Sequence, residues 1–189
     1  MKKKYRMIHD ENLCIGCQAC SVACRSENKV PDDLFRLQVR VKTEGVFPDL
    51  RMDMKRHSCV MCEDTPCVTV CPTGASFKTE DGLVQVDPKL CVSCKYCIVA
   101  CPYEARFINP VTKNADKCTF CYSNRVSKGQ DPACVTVCPT DALVFGDIND
   151  TTSEVYKKAK ESTLVYPKAH LGTKPKLAFV PNKKGVSYE

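Results

Sequence analysis

Apolar positions in this chain come in short bursts, never in long stretches. Residues 5–9, 37–41, 83–86, 106–108 and 143–145 are compact apolar or alternating runs between turn-forming residues and read as short strands. The stretches SVAC (21–24), IVAC (98–101) and VTVC (68–71 and 135–138) are too short for more than a helical turn each. Between them, residues 25–58 read as a polar insertion broken by Pro31 and Pro48. Past Asp150 a helix is predicted over 152–162, followed by an extended segment punctuated by Pro167, Pro175 and Pro181. No apolar run approaches the ~18–20 residues a bilayer-crossing helix needs. The pattern predicts a small α+β protein with a thin core.

Composition explains how so thin a core could hold. Hydrophobic residues make up 43% of the 189 positions, but sixteen of those are cysteine. Without them about 35% remains, lean for a domain that relies on apolar burial alone. Such a chain needs covalent or metal staples. The cysteines fall into four groups of four with none left over: Cys14, Cys17, Cys20, Cys24; Cys59, Cys62, Cys67, Cys71; Cys91, Cys94, Cys97, Cys101; and Cys118, Cys121, Cys134, Cys138. Groups one and three are alike (CIGCQACSVAC, CVSCKYCIVAC), and groups two and four share CVTVCPT, so the chain reads as a duplicated unit.

The spacing suits iron–sulfur cubanes. Three thiolates close together in one loop can wrap one cluster, while the fourth is carried off by the next turn to ligate a neighbouring cluster. Pro72, Pro102 and Pro139 follow the fourth cysteine and fix that turn, whereas Arg25 takes the place in group one and reads as an exposed charge. Zinc sites use separated CxxC pairs, and a disulfide framework needs an oxidising compartment; neither accounts for the close trios of groups one and three. The three histidines, His9, His57 and His170, are not needed as ligands. No nucleophile–base pair, phosphate loop or dinucleotide fingerprint stands out, so no catalytic residue is assigned and no substrate of its own is expected.

The formal charge of +6 points to no nucleic acid. Residues 151–189 hold eight Lys and three Glu, so nearly all the excess sits in a cysteine-free end that reads as a solvated or partner-facing tail. Four oxidised clusters of about −2 each would turn the total to about −2. The N-terminus has Lys but no apolar signal region, and no Arg-Arg pair occurs, so the sequence reads as having no export signal of its own.

The segments HDENLCIGCQAC (9–20), SCVMCEDTPCVTVCPTGAS (58–76), NPVTKNADKCTFC (109–121) and PACVTVCPTDAL (132–143) carry a family resemblance over about residues 5–150, with a weaker echo in LGTKPKLAFVPNKKG (171–185). The chain resembles the four-cluster ferredoxin-like electron-transfer subunits of molybdopterin oxidoreductases, most of all those serving polysulfide or thiosulfate reduction. The resemblance implies four [4Fe–4S] clusters in two nested ferredoxin-like halves. The outer half would be 1–24 with 102–150, the inner half 59–101, with 25–58 an insertion and 151–189 a basic helix and extended tail. Cluster one would use Cys14, Cys17, Cys20 and Cys138. Cluster two would use Cys118, Cys121, Cys134 and Cys24. Cluster three would use Cys59, Cys62, Cys67 and Cys101, and cluster four Cys91, Cys94, Cys97 and Cys71. Spacing alone does not choose nested over sequential pairing. Some relatives carry Trp at the second position of group three and a three-iron cluster; Cys94 here implies a complete cubane.

The same resemblance implies a molybdenum bis(guanine dinucleotide) catalytic subunit facing cluster one and an integral membrane, quinol-binding anchor facing cluster four. It places the protein at the membrane as a peripheral subunit, on the periplasmic face by co-export with the catalytic subunit; a cytoplasmic location is the alternative. A protein of this length has a diameter of roughly 40 Å, which sets four clusters about 10 Å apart, a spacing for one-electron tunnelling. Lys95, Lys117 and Arg125 flank ligand positions as candidate tuners of cluster charge, with solvated side chains as the alternative. Tyr96 reads as a packing residue. The competing function is a soluble polyferredoxin-type carrier for a hydrogenase or formate enzyme.

Overall fold

A computed structural model of the protein describes residues 3–182. Its first strand, β1 (Tyr5–Asp10), is the centre of the largest sheet and is covered on both faces. Successive side chains of a strand point to opposite faces. Tyr5 and Met7 accordingly enter the main core, while Ile8 on the other face packs with Val155 and Ala178.

Helix α1 (Ala19–Asn28) follows group one. A long hairpin comes next, β2 (Leu37–Val46) and β3 (Asp49–Ser58), paired antiparallel from Leu37 opposite Ser58 to Val46 opposite Asp49. One-turn helix α2 (Pro66–Thr69) and the small pair β4 (Ser76–Lys78) and β5 (Val84–Val86) lead to α3 (Tyr96–Val99). A two-residue pair, β6 (Phe107–Ile108) and β7 (Ala115–Asp116), leads to α4 (Ala133–Thr136). Strand β8 (Leu143–Asp147), helix α5 (Glu154–Glu161) and strand β9 (Leu177–Val180) close the fold. The result is mixed α and β, with several small sheets. β1 pairs antiparallel with β8 and parallel with β9, α1 lies against α4, and α2 lies against α3.

Three features depart from the sequence reading. First, α1 runs ten residues where a single turn is predicted. The helices at the other three cysteine groups, α2, α3 and α4, have four residues each and are followed by Pro72, Pro102 or Pro139, whose ring and missing N–H stop a helix. With Arg25 at that place, α1 continues to a left-handed cap at Lys29. Arg25 is not a free charge either: its guanidinium reaches Asp32 at 2.7 Å and lies over the Phe35 ring.

Second, the insertion is largely strand. β3 escapes notice in the sequence because its buried positions are Asp53, Arg56 and Ser58, so it carries no apolar alternation. Third, the basic end is extended but, as far as residue 182, not a solvated tail. β9 forms the third strand beside β1, and Leu177, Ala178, Phe179, Thr173 and Lys176 are buried. The tail expected over 183–189 lies outside the described residues. The helix predicted over 152–162 is α5, whose N-terminus is capped by Ser153 Oγ accepting from the Tyr156 N–H.

Candidate functional site

All sixteen cysteines are free thiols, and the fold sorts them into four sets that cut across the four sequence groups. One cleft is walled by Cys14, Cys17 and Cys20 together with Cys138, beside His9 and Arg56. A second is walled by Cys91, Cys94 and Cys97 together with Cys71, beside Lys95 and Arg106. Their empty volumes are about 380 and 340 Å³, alike enough for one kind of occupant.

Neither of the other two sets has an exposed member: one is buried throughout and the other is half-buried. Burial, then the neighbouring Cys118, Cys134 and Cys121 thiols, push the Cys24 thiol up, so Cys24 sits with group four rather than its own group. Burial pushes Cys62 up to about 12, with Cys59, Cys67 and Cys101 adding to it. Neighbouring sets lie within each other's electrostatic field: Cys20 feels Cys134, and Cys118 feels Cys59.

The same backbone device recurs at the first CxxC of each group. The residue before the second cysteine, Gly16, Met61, Ser93 or Phe120, has a φ of 68°, 51°, 56° or 54°. Left-handed backbone is disfavoured for residues with a Cβ by about 1–2 kcal/mol. Met61 and Phe120 hold it because their side chains are among the most buried in the molecule. The curl turns each loop around a common centre.

Charge and hydrogen bonding refine the sets. The Asn28 amide lies 3.8 Å from both Cys24 Sγ and Cys121 Sγ. At Cys71, burial is outweighed by the Ser76 N–H, which donates at 3.3 Å, and by Thr73, so the thiol lies below its ordinary value. The Ala115 N–H donates to Cys91 Sγ at 3.4 Å. Most of the shifted thiols move upward: Cys20 and Cys118 rise to about 11, chiefly through burial. Thiols held neutral at pH 7 must lose a proton when a metal arrives, so assembly releases protons.

Sequence reasoning missed the main charges here. Arg56, on β3, is buried and donates from Nη1 to Cys134 Sγ at 3.5 Å and from Nη2 toward Cys118 Sγ at 3.8 Å. Arg106 donates to Cys67 Sγ at 3.0 Å. Burial disfavours charge on both, yet the neighbouring cysteines hold both guanidinium pKa values above the ordinary one. The available signal was slight: a charged residue three places before Cys59, and another five after Cys101. Among the sequence candidates, Lys117 is buried and Lys95 exposed, while Arg125 pairs with Glu27 and the Asp131 carbonyl and not with sulfur. Tyr96 is 60% exposed, which corrects its reading as a packing residue. His9 lines the first cleft, and burial, then Arg56, push it down to about 4 against the pull of Asp10. His57 and His170 line neither thiol cleft.

The thiol-only donor sets, the two similar clefts and the repeated loop curl fit iron–sulfur cubanes. Comparison with known proteins points the same way. Two family profiles, each described as a 4Fe-4S dicluster domain, match residues 13–75 and 50–148. The sequence is 60% identical over 187 residues to the B subunit of polysulfide reductase from Wolinella succinogenes, covering 98% of each protein. It is 52% identical over 184 residues to protein NrfC of Escherichia coli, covering 96% of this protein and 82% of that one. It is 47% identical over 163 residues to the thiosulfate reductase electron transfer subunit PhsB of Salmonella typhi, covering 85% of each. Two dicluster matches and sixteen cysteines account for four [4Fe–4S] clusters.

Proposed function

This protein belongs to the ferredoxin-like 4Fe–4S dicluster family, as an iron–sulfur electron-transfer subunit of the polysulfide and thiosulfate reductase type, and from that premise we propose that it relays single electrons between a quinol-oxidising membrane anchor and a molybdopterin subunit that reduces a sulfur compound.

The proposed ligand sets are those of the four thiol neighbourhoods. Cys14, Cys17, Cys20 and Cys138 hold cluster one; Cys118, Cys121, Cys134 and Cys24 hold cluster two. Cys59, Cys62, Cys67 and Cys101 hold cluster three; Cys91, Cys94, Cys97 and Cys71 hold cluster four. The walls of the two clefts and the neighbours of Cys24 and Cys62 support this exchange of fourth ligands. The pairing of β1 with β8, of α1 with α4 and of α2 with α3 supports a nested arrangement of an outer and an inner half.

When bound, such a cluster supplies one-electron redox chemistry at a potential set by its surroundings. The protein's own residues supply the rest. The thiolates fix positions, Phe120, Met61 and Val60 keep water from the centre, and N–H groups such as those of Ser76 and Ala115 stabilise charge on sulfur.

One observation carries the relay reading: of sixteen cysteines only Cys17 and Cys94 are exposed, one in each of the two clefts. Apolar side chains are exposed beside each, Ile15 and Val22 near the first and Val92 and Val99 near the second. A relay needs two such doors, and in this reading the first faces the catalytic subunit and the second the anchor. No helix among the described residues is long and apolar enough to cross a membrane. The anchor is thus a separate subunit in this reading, and the periplasmic face follows from co-export with the catalytic partner.

The test is to tag the protein in its native host, solubilise the assembly anaerobically, and measure molybdenum and tungsten per tagged subunit. About one metal per subunit is expected. Intact iron and sulfide with neither metal and no large partner would instead identify a free carrier.

A further inference from the structure

Three cations are buried among the thiols: Arg56, Lys117 and Arg106. Among the described residues none of the three makes a carboxylate ion pair. A buried charge needs a counter-charge or polar partners close by or is costly to keep: Arg56 and Arg106 find theirs on cysteine sulfur, whereas Lys117 rests on two backbone carbonyls, and burial lowers its pKa against the pull of the thiols of Cys59 and Cys118.

Each stands between a different pair of neighbouring thiol sets. Arg56 touches Cys134 and Cys118 of the second set and also lines the cleft of the first, where Cys20 lies in its field. Ser58 Oγ fixes its Nε at 2.9 Å. Lys117 donates from Nζ to the Cys118 carbonyl at 2.9 Å and to the Val84 carbonyl, and it lies in the field of Cys59 and Cys67 as well as Cys118. Its Nζ also lies 4.0 Å from Met61 Sδ, in the loop between Cys59 and Cys62, so it faces the second and third sets. Arg106 donates from Nη2 to Cys67 Sγ at 3.0 Å and Ser76 Oγ at 2.8 Å, and it lines the cleft of the fourth set. It joins the third and fourth.

We propose that Arg56, Lys117 and Arg106 are a file of buried positioning charges, one in each gap of the relay, and that each raises the reduction potentials of the two clusters it separates. The inference rests on the four-cluster reading above. Reduction adds a negative charge to a cluster, so a fixed cation in a low-dielectric gap favours the reduced form on both sides. The same cation shields an electron on one cluster from an electron on the next, which lets neighbours be reduced together. Lys95, exposed beside the fourth set, lacks this leverage because water screens it.

The experiment is an anaerobic redox titration followed by electron paramagnetic resonance, on the assembly carrying the wild-type protein and on Arg56→Gln, Lys117→Met and Arg106→Gln. Iron, sulfide and spin counts accompany each. In every variant two of the four midpoints should fall, each by at least tenfold in the reduced-to-oxidised ratio at fixed potential, or 59 mV for one electron. The other two should stay. Arg56→Gln and Lys117→Met should share one shifted cluster, Lys117→Met and Arg106→Gln should share another, and Arg56→Gln and Arg106→Gln should share none. Arg56→Lys and Arg106→Lys should recover most of the shift.

Four intact clusters with unmoved midpoints, or with all four moved equally, would overturn the file while leaving the four-cluster reading in place. Fewer than four clusters in the wild-type protein would remove both. If the neutral variants lose iron and the lysine variants keep it with wild-type midpoints, the charges serve assembly, and the tuning role is overturned.

Discussion

Cys24 lies four residues from Cys20, yet its neighbours are Cys118, Cys121 and Cys134. Serine at this position should therefore damage a cluster whose other ligands are about a hundred residues away. Cys24→Ser is expected to cost the protein about four irons, or to leave an altered cluster, with loss of the resonance that Cys118→Ser also removes and retention of the one that Cys14→Ser removes. The cysteine spacing made an exchange of fourth ligands legible but not the choice of partner, because that depends on which helices meet. Arg56 was illegible for a different reason: its role depends on the inward face of a strand with no apolar pattern. At Asp10, burial works against the charge, but Lys158 at 2.5 Å and the Asn12 N–H hold the carboxyl below its ordinary value of 3.8. A depressed folded-state value stabilises fully above the unfolded value and is lost only as pH falls through the folded one. Asp10→Asn should thus lower stability by about 2 kcal/mol, with the same loss at pH 6 and pH 8. Thermal unfolding of the iron-loaded protein at the two values checks both points.

Helix α1 shows how one residue sets the length of an element. Proline follows the fourth cysteine in three groups and ends the helix there; arginine in group one lets it run to Asn28. That extension matters, because Asn28 donates to the Cys24 carbonyl at 2.8 Å and is itself held by Arg36 at 2.8 Å. Arg25→Pro is expected to unwind the last turn of α1 at a cost of about 3 kcal/mol, seen as a lower thermal midpoint and weaker retention of cluster two. The departure from CP was visible in the sequence, but its consequence needed the helix. The C-terminal segment teaches the converse. Its lysines and prolines suggested solvent, yet within it the run Leu177–Val180 is a buried strand. Net charge describes a segment as a whole, whereas burial is decided residue by residue. Leu177→Ala should destabilise the protein by about 3 kcal/mol, as removal of a fully buried leucine does; a solvated tail would show no change in thermal midpoint.

The molecule as a whole has few apolar residues and much sulfur. Cys20, Cys24, Cys118 and Cys134 belong to its main hydrophobic cluster, packed with Tyr5, Phe120 and Phe145. Metal binding and folding are therefore one process, and chelating the iron should unfold the centre before the hairpin β2–β3. Cys17 is exposed in one cleft and Cys94 in the other, while the remaining two thiol sets have no exposed member, the form expected of a relay with two accessible ends. The most direct measurement freezes the purified assembly within milliseconds of adding a menaquinol analogue, then polysulfide, and follows all four cluster signals by electron paramagnetic resonance. Quinol should reduce the clusters, and polysulfide should reoxidise them at a rate matching turnover. Signals that stay fixed while polysulfide is consumed would place this protein outside the path of the electrons.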